Sequence, residues 1–315
     1  MSKSETPKSP SEPSSDDHQA FSHPKFWPTW ILIFFLKFLA SRRHATLIKT
    51  GRLLGKVGYR LVKRRRHIAE TNIALCFPEL SKEEQAELVK ATMIENVIGM
   101  LETVWAWYGD TSDMTERLTI EGAEHLKSAI AKGRGVVLVG AHYTTLDLGG
   151  VMIKPVAPLS VIYAANKNPL LDKFIYEGRM KNLKRAIDRY DMRAMVRALR
   201  KGDVLWYSPD QDYGASLSVF APFFGIEAAS IKTTSKLASF NDSPVVIVSN
   251  HRESDDIHYR LRFTPALENY PSGDDIADVT RINEALEKEI RRCPSQYMWV
   301  HRRFKTRPEG ASSVY

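Results

Sequence analysis

From Gly122 onward the chain alternates short β-branched apolar runs with amphipathic stretches, and this alternation restricts the fold more than any other feature. The runs at residues 135–141, 159–164, 203–208, 244–249 and 297–301 have the length and composition of buried strands. Helical periodicity fits residues 123–131, 169–181, 192–201 and 275–292. In the last of these, Val279, Ile282, Leu286 and Ile290 recur on one helical face. Strands alternating with helices predict a layered α/β domain. Ile257, Tyr259, Leu261 and Phe263 alternate with polar residues, as a half-exposed strand does, so the sheet is expected to be mixed. The expected class is therefore α/β, a central mixed β-sheet flanked by helices, preceded by an N-terminal membrane-anchoring helix.

That anchor is read from residues 26–40, FWPTWILIFFLKFLA, apolar except for Thr29 and Lys37. Trp27 and Trp30 at one end, and Arg42 and Arg43 at the other, resemble interfacial anchors. The block is shorter than the ~20 residues of a spanning helix, so a transmembrane and an in-plane placement both stay open. It lies behind a polar tail, and basic residues follow it, which is not the order of a signal peptide. Of the chain's 45 Lys and Arg residues, 12 lie between His18 and Ala69, where there is no Asp or Glu. The rest of the chain carries 33 basic residues against 37 acidic ones, so the net charge of +8 belongs to this segment. That is the pattern of attachment to an anionic membrane with the following domain on the cytoplasmic side, and no nucleic acid partner is expected. The organisation expected is a disordered tail over residues 1–24, an anchor and basic segment over 25–66, a folded domain over 67–308 and a tail over 309–315.

Before the alternating region, residues 48–63 read as a helix with Gly51, Gly55 and Gly58 near one side, a spacing that can mark close helix contact. Ser81 and Glu84 form a capping box for a helix reaching Tyr108. Cys76 and Cys293 provide neither a disulfide framework nor a ligand cluster. The nine histidines show no metal-ligand spacing, so no metal and no cofactor is expected.

The chemistry concentrates in residues 137–150, VLVGAHYTTLDLGG. His142 follows an apolar strand directly, at the carboxyl end where α/β sheets collect reactive groups. Asp147 lies five positions on, about 500° around a continuous helix, so the two side chains meet only if His142 sits in the strand-to-helix turn. Thr144 or Thr145 would then cap the helix. The expected device is an acid–base dyad: Asp147 fixes the tautomer of His142, and the other ring nitrogen takes a proton.

His142–Asp147 together with NIALCFPELS at residue 72, Gly178-Arg179, VLWYSPDQDYG at residue 204, SVFAPFF at residue 218 and QYMWVHRRFKTRPEG at residue 296 resemble the lipid A biosynthesis acyltransferases of the late lauroyl or myristoyl type. These belong to the wider glycerolipid acyltransferase superfamily with a His-x-x-x-x-Asp/Glu motif. Many lipid A members have Glu where this chain has Asp147. The resemblance implies transfer of a fatty acyl group from acyl carrier protein to a 3-hydroxyacyl chain of a Kdo-bearing lipid A precursor, at the inner membrane, without a covalent enzyme intermediate. It implies His142 and Asp147 as catalytic residues and Arg179 and Asp210 as substrate-binding residues; Asp212, adjacent to Asp210, is read as structural. For Arg302, Arg303, Lys305 and Arg307 two roles stand side by side, docking the acidic carrier protein or anchoring the C-terminal segment. The alternatives are a glycerolipid or other glycolipid acceptor, and a non-catalytic lipid-binding homologue.

Overall fold

A computed structural model describes residues 21–315 of the chain. The tail expected over residues 1–24 lies outside the described residues as far as residue 20. Four helices come first: α1 (Trp27–Ala40), α2 (His44–Leu61), α3 (Lys63–Cys76) and α4 (Lys82–Tyr108). The alternating part follows as β1 (Leu118–Glu121), α5 (Ala123–Ala131), β2 (Val136–Gly140), α6 (Leu146–Met152), β3 (Leu159–Tyr163), α7 (Pro169–Met180), β4 (Arg185–Asp188), α8 (Met192–Arg200) and β5 (Val204–Tyr207). Then come β6 (Ser218–Phe223), β7 (Ile226–Ile231), α9 (Thr233–Ser239), β8 (Val245–Arg252), β9 (Tyr259–Phe263) and α10 (Asp275–Ile290).

The main sheet has the order β1-β9-β8-β2-β5-β3-β4. Strands β2, β3, β4, β5 and β8 run parallel, while β9 pairs antiparallel with β8 and parallel with β1. The expected mixed sheet is present, with the alternating strand at residue 259 and its neighbour β1 running against the other five strands. The period of two along β2 divides the core. Val136 and Leu138 face a layer containing Trp105 of α4, Leu126 of α5, Leu148 of α6 and Phe174 of α7. Val137 and Val139 face the other layer, with Ile73 of α3, Met195 of α8, Leu237 of α9 and Leu286 of α10. All four valine and leucine side chains are fully buried, which is why β2 reads as a continuous apolar run.

Helix α4 starts where expected: the Ser81 hydroxyl accepts from the Glu84 N–H at 3.2 Å and the Glu84 carboxylate accepts from the Ser81 N–H at 2.8 Å. It runs unbroken for 27 residues and carries α2 on its surface. The glycines of α2 make that contact possible. A Cβ on Gly51 would lie 2.9 Å from the Ile98 Cα, and one on Gly55 would lie 2.7 Å from the Ile94 Cα. Gly58 has room to spare, its nearest neighbour being 4.0 Å away on Val97.

Several expectations need correction. Residues 297–301 are turns rather than a strand; Tyr297 forms only an isolated bridge with Tyr143. β1, β4 and the β6–β7 hairpin escaped the sequence reading, β1 and β4 because they are only four residues long and partly buried. The transmembrane reading of the N-terminal block finds no support: among the described residues no helix is long and apolar enough to cross a membrane. α1 has 14 residues, about 21 Å of helix against ~30 Å of bilayer hydrocarbon. It lies against α4 and α7 through Ile33 and Ala40 and leaves Ile31 71% and Phe34 76% exposed. Cys76 and Cys293 are free thiols, and burial pushes both upward in pKa, Cys293 to about 11.

Candidate active site

β2 ends at Gly140, and the chain turns through residues 141–145 before α6 begins. The C-terminal segment holds this turn. The Thr144 N–H donates to the Gln296 carbonyl at 2.8 Å, and the Met298 N–H donates to the His142 carbonyl at 3.1 Å. Gln296 is itself fixed to β8, accepting from the Arg252 N–H at 2.9 Å and donating to the Arg252 carbonyl at 2.8 Å. Thr145 occupies the position before α6, but its hydroxyl donates to the Asn250 carbonyl at 2.9 Å, so neither it nor Thr144 caps the helix. Asn250 donates back to the Thr145 carbonyl at 2.8 Å. The turn is thus stitched to two neighbouring elements, and His142 has little freedom to move.

The carboxylate on His142 comes from the end of β5, the strand beside β2. Asp210 Oδ1 lies 2.6 Å from His142 Nδ1, and Asp210 Oδ2 accepts the His142 backbone N–H at 2.9 Å. An ionised carboxylate only accepts, so Nδ1 carries the proton and Nε2 presents its lone pair. Nε2 has no hydrogen-bond partner among the described residues, and His142 lines a cavity. Burial works against the charged imidazole, but the Asp210 carboxylate outweighs it and raises the His142 pKa above its ordinary value. Asp210 is buried too. Burial raises its pKa, yet the charge of His142 and the two hydrogen bonds prevail and hold it below the usual carboxylate value.

Asp147 sits in the first turn of α6 and makes no hydrogen bond to His142. The expected orienting contact is absent because the side chain turns toward α7. Arg179 Nε donates to Asp147 Oδ1 at 2.6 Å, and Arg179 Nη2 donates to Asp147 Oδ2 at 3.1 Å. The Trp107 indole N–H also donates to Oδ1, at 3.3 Å. This fork-to-fork pair raises the Arg179 pKa against the opposing effect of burial. The guanidinium stands between the rings of Tyr163 and Trp107, 5.5 and 5.9 Å from their centroids. Its Nη1 has no partner among the described residues. Trp107 reads in sequence as core or interface; nothing in its local spacing shows that it supports Asp147.

His142, Asp147 and Arg179 line one cavity of about 490 Å³, and Asp210 lies behind His142. Met100 and Thr103 of α4 form one side, and Tyr163, Arg189 and Tyr213 form another. Among the described residues no group of acids, histidines and cysteines can hold a metal ion. Such a cavity can position a hydroxyl beside a basic ring nitrogen and an anionic group beside Arg179.

Neighbouring polar residues take structural parts. Asp212 accepts from the Thr306 N–H at 2.7 Å and hydroxyl at 2.8 Å, and from the Gly214 N–H at 3.0 Å. His301 accepts the Asp212 N–H at 3.2 Å, and burial holds its pKa down to about 4. Arg303 is buried, donating to the Ala229 carbonyl at 2.7 Å and the Ser230 hydroxyl at 2.5 Å. Arg307 donates to the Glu227 carbonyl at 2.7 Å, and Arg302 lies over the Tyr315 ring. For these arginines the anchoring role is the one the contacts describe. Asn72 completes the clamp, donating to the carbonyls of Trp299 at 2.6 Å and His301 at 2.8 Å.

The site and fold define a layered α/β protein with a histidine–carboxylate pair at the carboxyl ends of adjacent parallel strands, open to a cavity. A profile of the bacterial lipid A biosynthesis acyltransferases matches residues 15–306. The lipid A biosynthesis palmitoleoyltransferase of Escherichia coli (strain K12) is 37% identical over 296 residues, 94% of this chain and 96% of the relative. The lipid A biosynthesis lauroyltransferase of the same organism is 37% identical over 297 residues, 94% of this chain and 97% of the relative. A lipid A biosynthesis acyltransferase of Haemophilus influenzae (strain ATCC 51907 / DSM 11121 / KW20 / Rd) is 34% identical over 304 residues, 94% and 96% of the two chains. The chain belongs to the bacterial lipid A biosynthesis acyltransferase family. It is an acyltransferase.

Proposed function

We propose that this acyltransferase takes a fatty acyl group from the thioester of acyl carrier protein. It delivers the group to the hydroxyl of a 3-hydroxyacyl chain on a Kdo-bearing lipid A precursor, at the cytoplasmic face of the inner membrane. His142 Nε2 removes the hydroxyl proton as the oxygen attacks the thioester carbonyl. The tetrahedral intermediate collapses with cleavage of the carbon–sulfur bond, and the imidazolium returns its proton to the departing thiolate. Asp210 orients the ring and balances the imidazolium. Asp147 is a positioning residue that holds Arg179, whose free Nη1 faces an anionic group of the acceptor or the developing oxyanion.

The observation that carries this reading is the His142 ring, held by Asp210 through Nδ1 with Nε2 unpaired at the wall of the cavity. No covalent intermediate is needed, and both thiols are protonated at neutral pH. Membrane association is proposed as in-plane attachment, because α1 exposes Trp27, Ile31, Phe34 and Phe38 and α2 exposes Leu53, Val57 and Leu61 beside a strongly basic segment.

The test is transfer of a radiolabelled acyl chain from acyl carrier protein to a Kdo-bearing lipid A precursor by the purified full chain. Wild type should acylate this acceptor and His142→Ala should not. Preference for a glycerolipid acceptor, or no transfer by wild type, would overturn the reading.

A further inference from the structure

We propose that the exposed face of α8 is the docking surface for the carrier protein that brings the acyl donor, with its thioester arm entering the cavity past Arg189. The inference rests on the proposed use of a carrier-bound donor and adds where that donor sits. Residues 189–201 hold Arg189, Arg193, Arg197, Arg200 and Lys201 against one acid, Asp191. Asp191 is engaged at the start of α8, accepting the Ala194 N–H at 2.9 Å. At 100° per residue, Arg193, Arg197 and Arg200 fall within about 60° of one another. Met195, Ala198 and Leu199 form the opposite, buried face. The stripe is therefore fixed to the sheet from below and points its charges outward.

Most other basic side chains near the site are already neutralised. Lys184 and Arg185 share Asp203, and Arg179 has Asp147. Arg303 and Arg307 are spent on backbone carbonyls. Among the described residues, Arg189, Arg193, Arg197, Arg200 and Lys201 meet no carboxylate. Arg189 stands where the stripe reaches the cavity wall, beside Tyr163 and Tyr213. Its N–H donates to the Tyr163 carbonyl at 2.9 Å, which ties the inner end of the stripe to β3. An acidic, helical carrier protein complements this arrangement: its charge meets the stripe, and its flexible arm has a side of the cavity to enter.

An anionic membrane is the competing occupant, and the layers argue against it. The exposed apolar residues of α1 belong to the side of the sheet that carries α4 and α7. α8 lies on the other side, with Met195 and Leu199 in the second core layer. Its outer face exposes no large apolar residue within the helix. The lipid acceptor then approaches along α4, past Met100, and the donor approaches from the α8 side.

The test compares donors. Full-length wild type and the charge reversal R193E/R197E are assayed with acyl carrier protein thioester and with the small thioester acyl-pantetheine. Neither residue lines the cavity or enters a core layer. The variant should raise KM for the carrier-bound donor about tenfold or more and flatten its salt dependence. Kinetics with acyl-pantetheine, KM for acceptor and binding to anionic vesicles should not change. R193A/R197A should shift the carrier KM in the same direction by less. An unchanged carrier KM overturns the docking surface while leaving the donor reading intact. Lost vesicle binding with unchanged carrier KM assigns the stripe to the membrane and overturns it as well. If wild type itself uses the carrier thioester no better than acyl-pantetheine, the donor reading fails and the docking surface with it.

Discussion

Replacing Asp210 by Asn tests the site at the point where sequence and structure part. Asp210 accepts two hydrogen bonds from one residue, the His142 backbone N–H at 2.9 Å and ring Nδ1–H at 2.6 Å. Asn keeps one acceptor and gains an NH2 group. The backbone N–H cannot change its role, whereas the imidazole can change tautomer. The buried pair therefore settles with the amide oxygen on the backbone N–H and the NH2 donating to Nδ1. The ring proton then moves to Nε2, and the base is lost. General-base help is worth ~10²–10⁴-fold, about 3–5.5 kcal/mol of barrier, and D210N should forfeit most of it in kcat.

The pH profile adds a second reading. The base must be neutral, so kcat rises with pH through the His142 pKa, which Asp210 holds above its ordinary value of 6.5. Without that charge, burial and Arg179 dominate and the acid limb of any residual activity should move to lower pH. The assay is initial rates at saturating donor and acceptor across the pH range, with circular dichroism to establish folding. A folded D210N with near wild-type kcat and an unmoved acid limb would refute Asp210 as the partner of the base.

Arg179→Lys keeps the charge but loses the two-point contact with Asp147, so acceptor KM should rise, with kcat falling too if Nη1 meets the oxyanion. Asp147→Asn strikes the same pair from the other side and should resemble Arg179→Lys more than D210N, which full kinetics of the three variants would show. Gly55→Val forces a Cβ to within 2.7 Å of the Ile94 Cα, so α2 must part from α4 at a cost of about 1–3 kcal/mol, read as a lower Tm. I31E/F34E alters two side chains that are 71% and 76% exposed, so Tm should hold while flotation with anionic vesicles drops; unchanged flotation would place the membrane contact elsewhere.

The layered fold is legible because β2, β5 and β8 are buried on both faces and their residues show it without context. β1 and β4 are not, since each is four residues long and only partly buried. His142 and Asp210 are each recognisable as residues just past an apolar strand. Their contact is not, because it depends on β2 and β5 being neighbours although 68 positions separate the two residues. Asp147 is close to His142 in sequence, and local proximity alone makes it the natural partner. The turn decides otherwise: Thr145 is tied to Asn250, α6 starts at Leu146, and Asp147 faces Arg179 and Trp107. The C-terminal block, the most specific element of the resemblance, proves mainly structural, contributing Met298 to the cavity and otherwise clamping the His142 turn and anchoring the chain end.

The separation of the two carboxylates has an energetic sense in the proposed reaction. With His142 neutral, Asp147 and Arg179 cancel, which leaves the Asp210 carboxylate as the negative charge beside the ring. In the ground state that charge meets a neutral imidazole, the His142 backbone N–H and the neighbouring Tyr297 side chain. As the acceptor proton moves to Nε2, an imidazolium forms 2.6 Å from the carboxylate, in a buried place where the attraction is far stronger than in water. The interaction therefore strengthens as the barrier is climbed, the kind of contact that raises kcat rather than tightening substrate binding. Asp147 could not serve in this way while paired with Arg179, because its charge is already compensated before the proton moves. Its pairing does something else: it keeps the guanidinium, which lowers the His142 pKa, partly neutralised beside the base while leaving Nη1 available to the substrate.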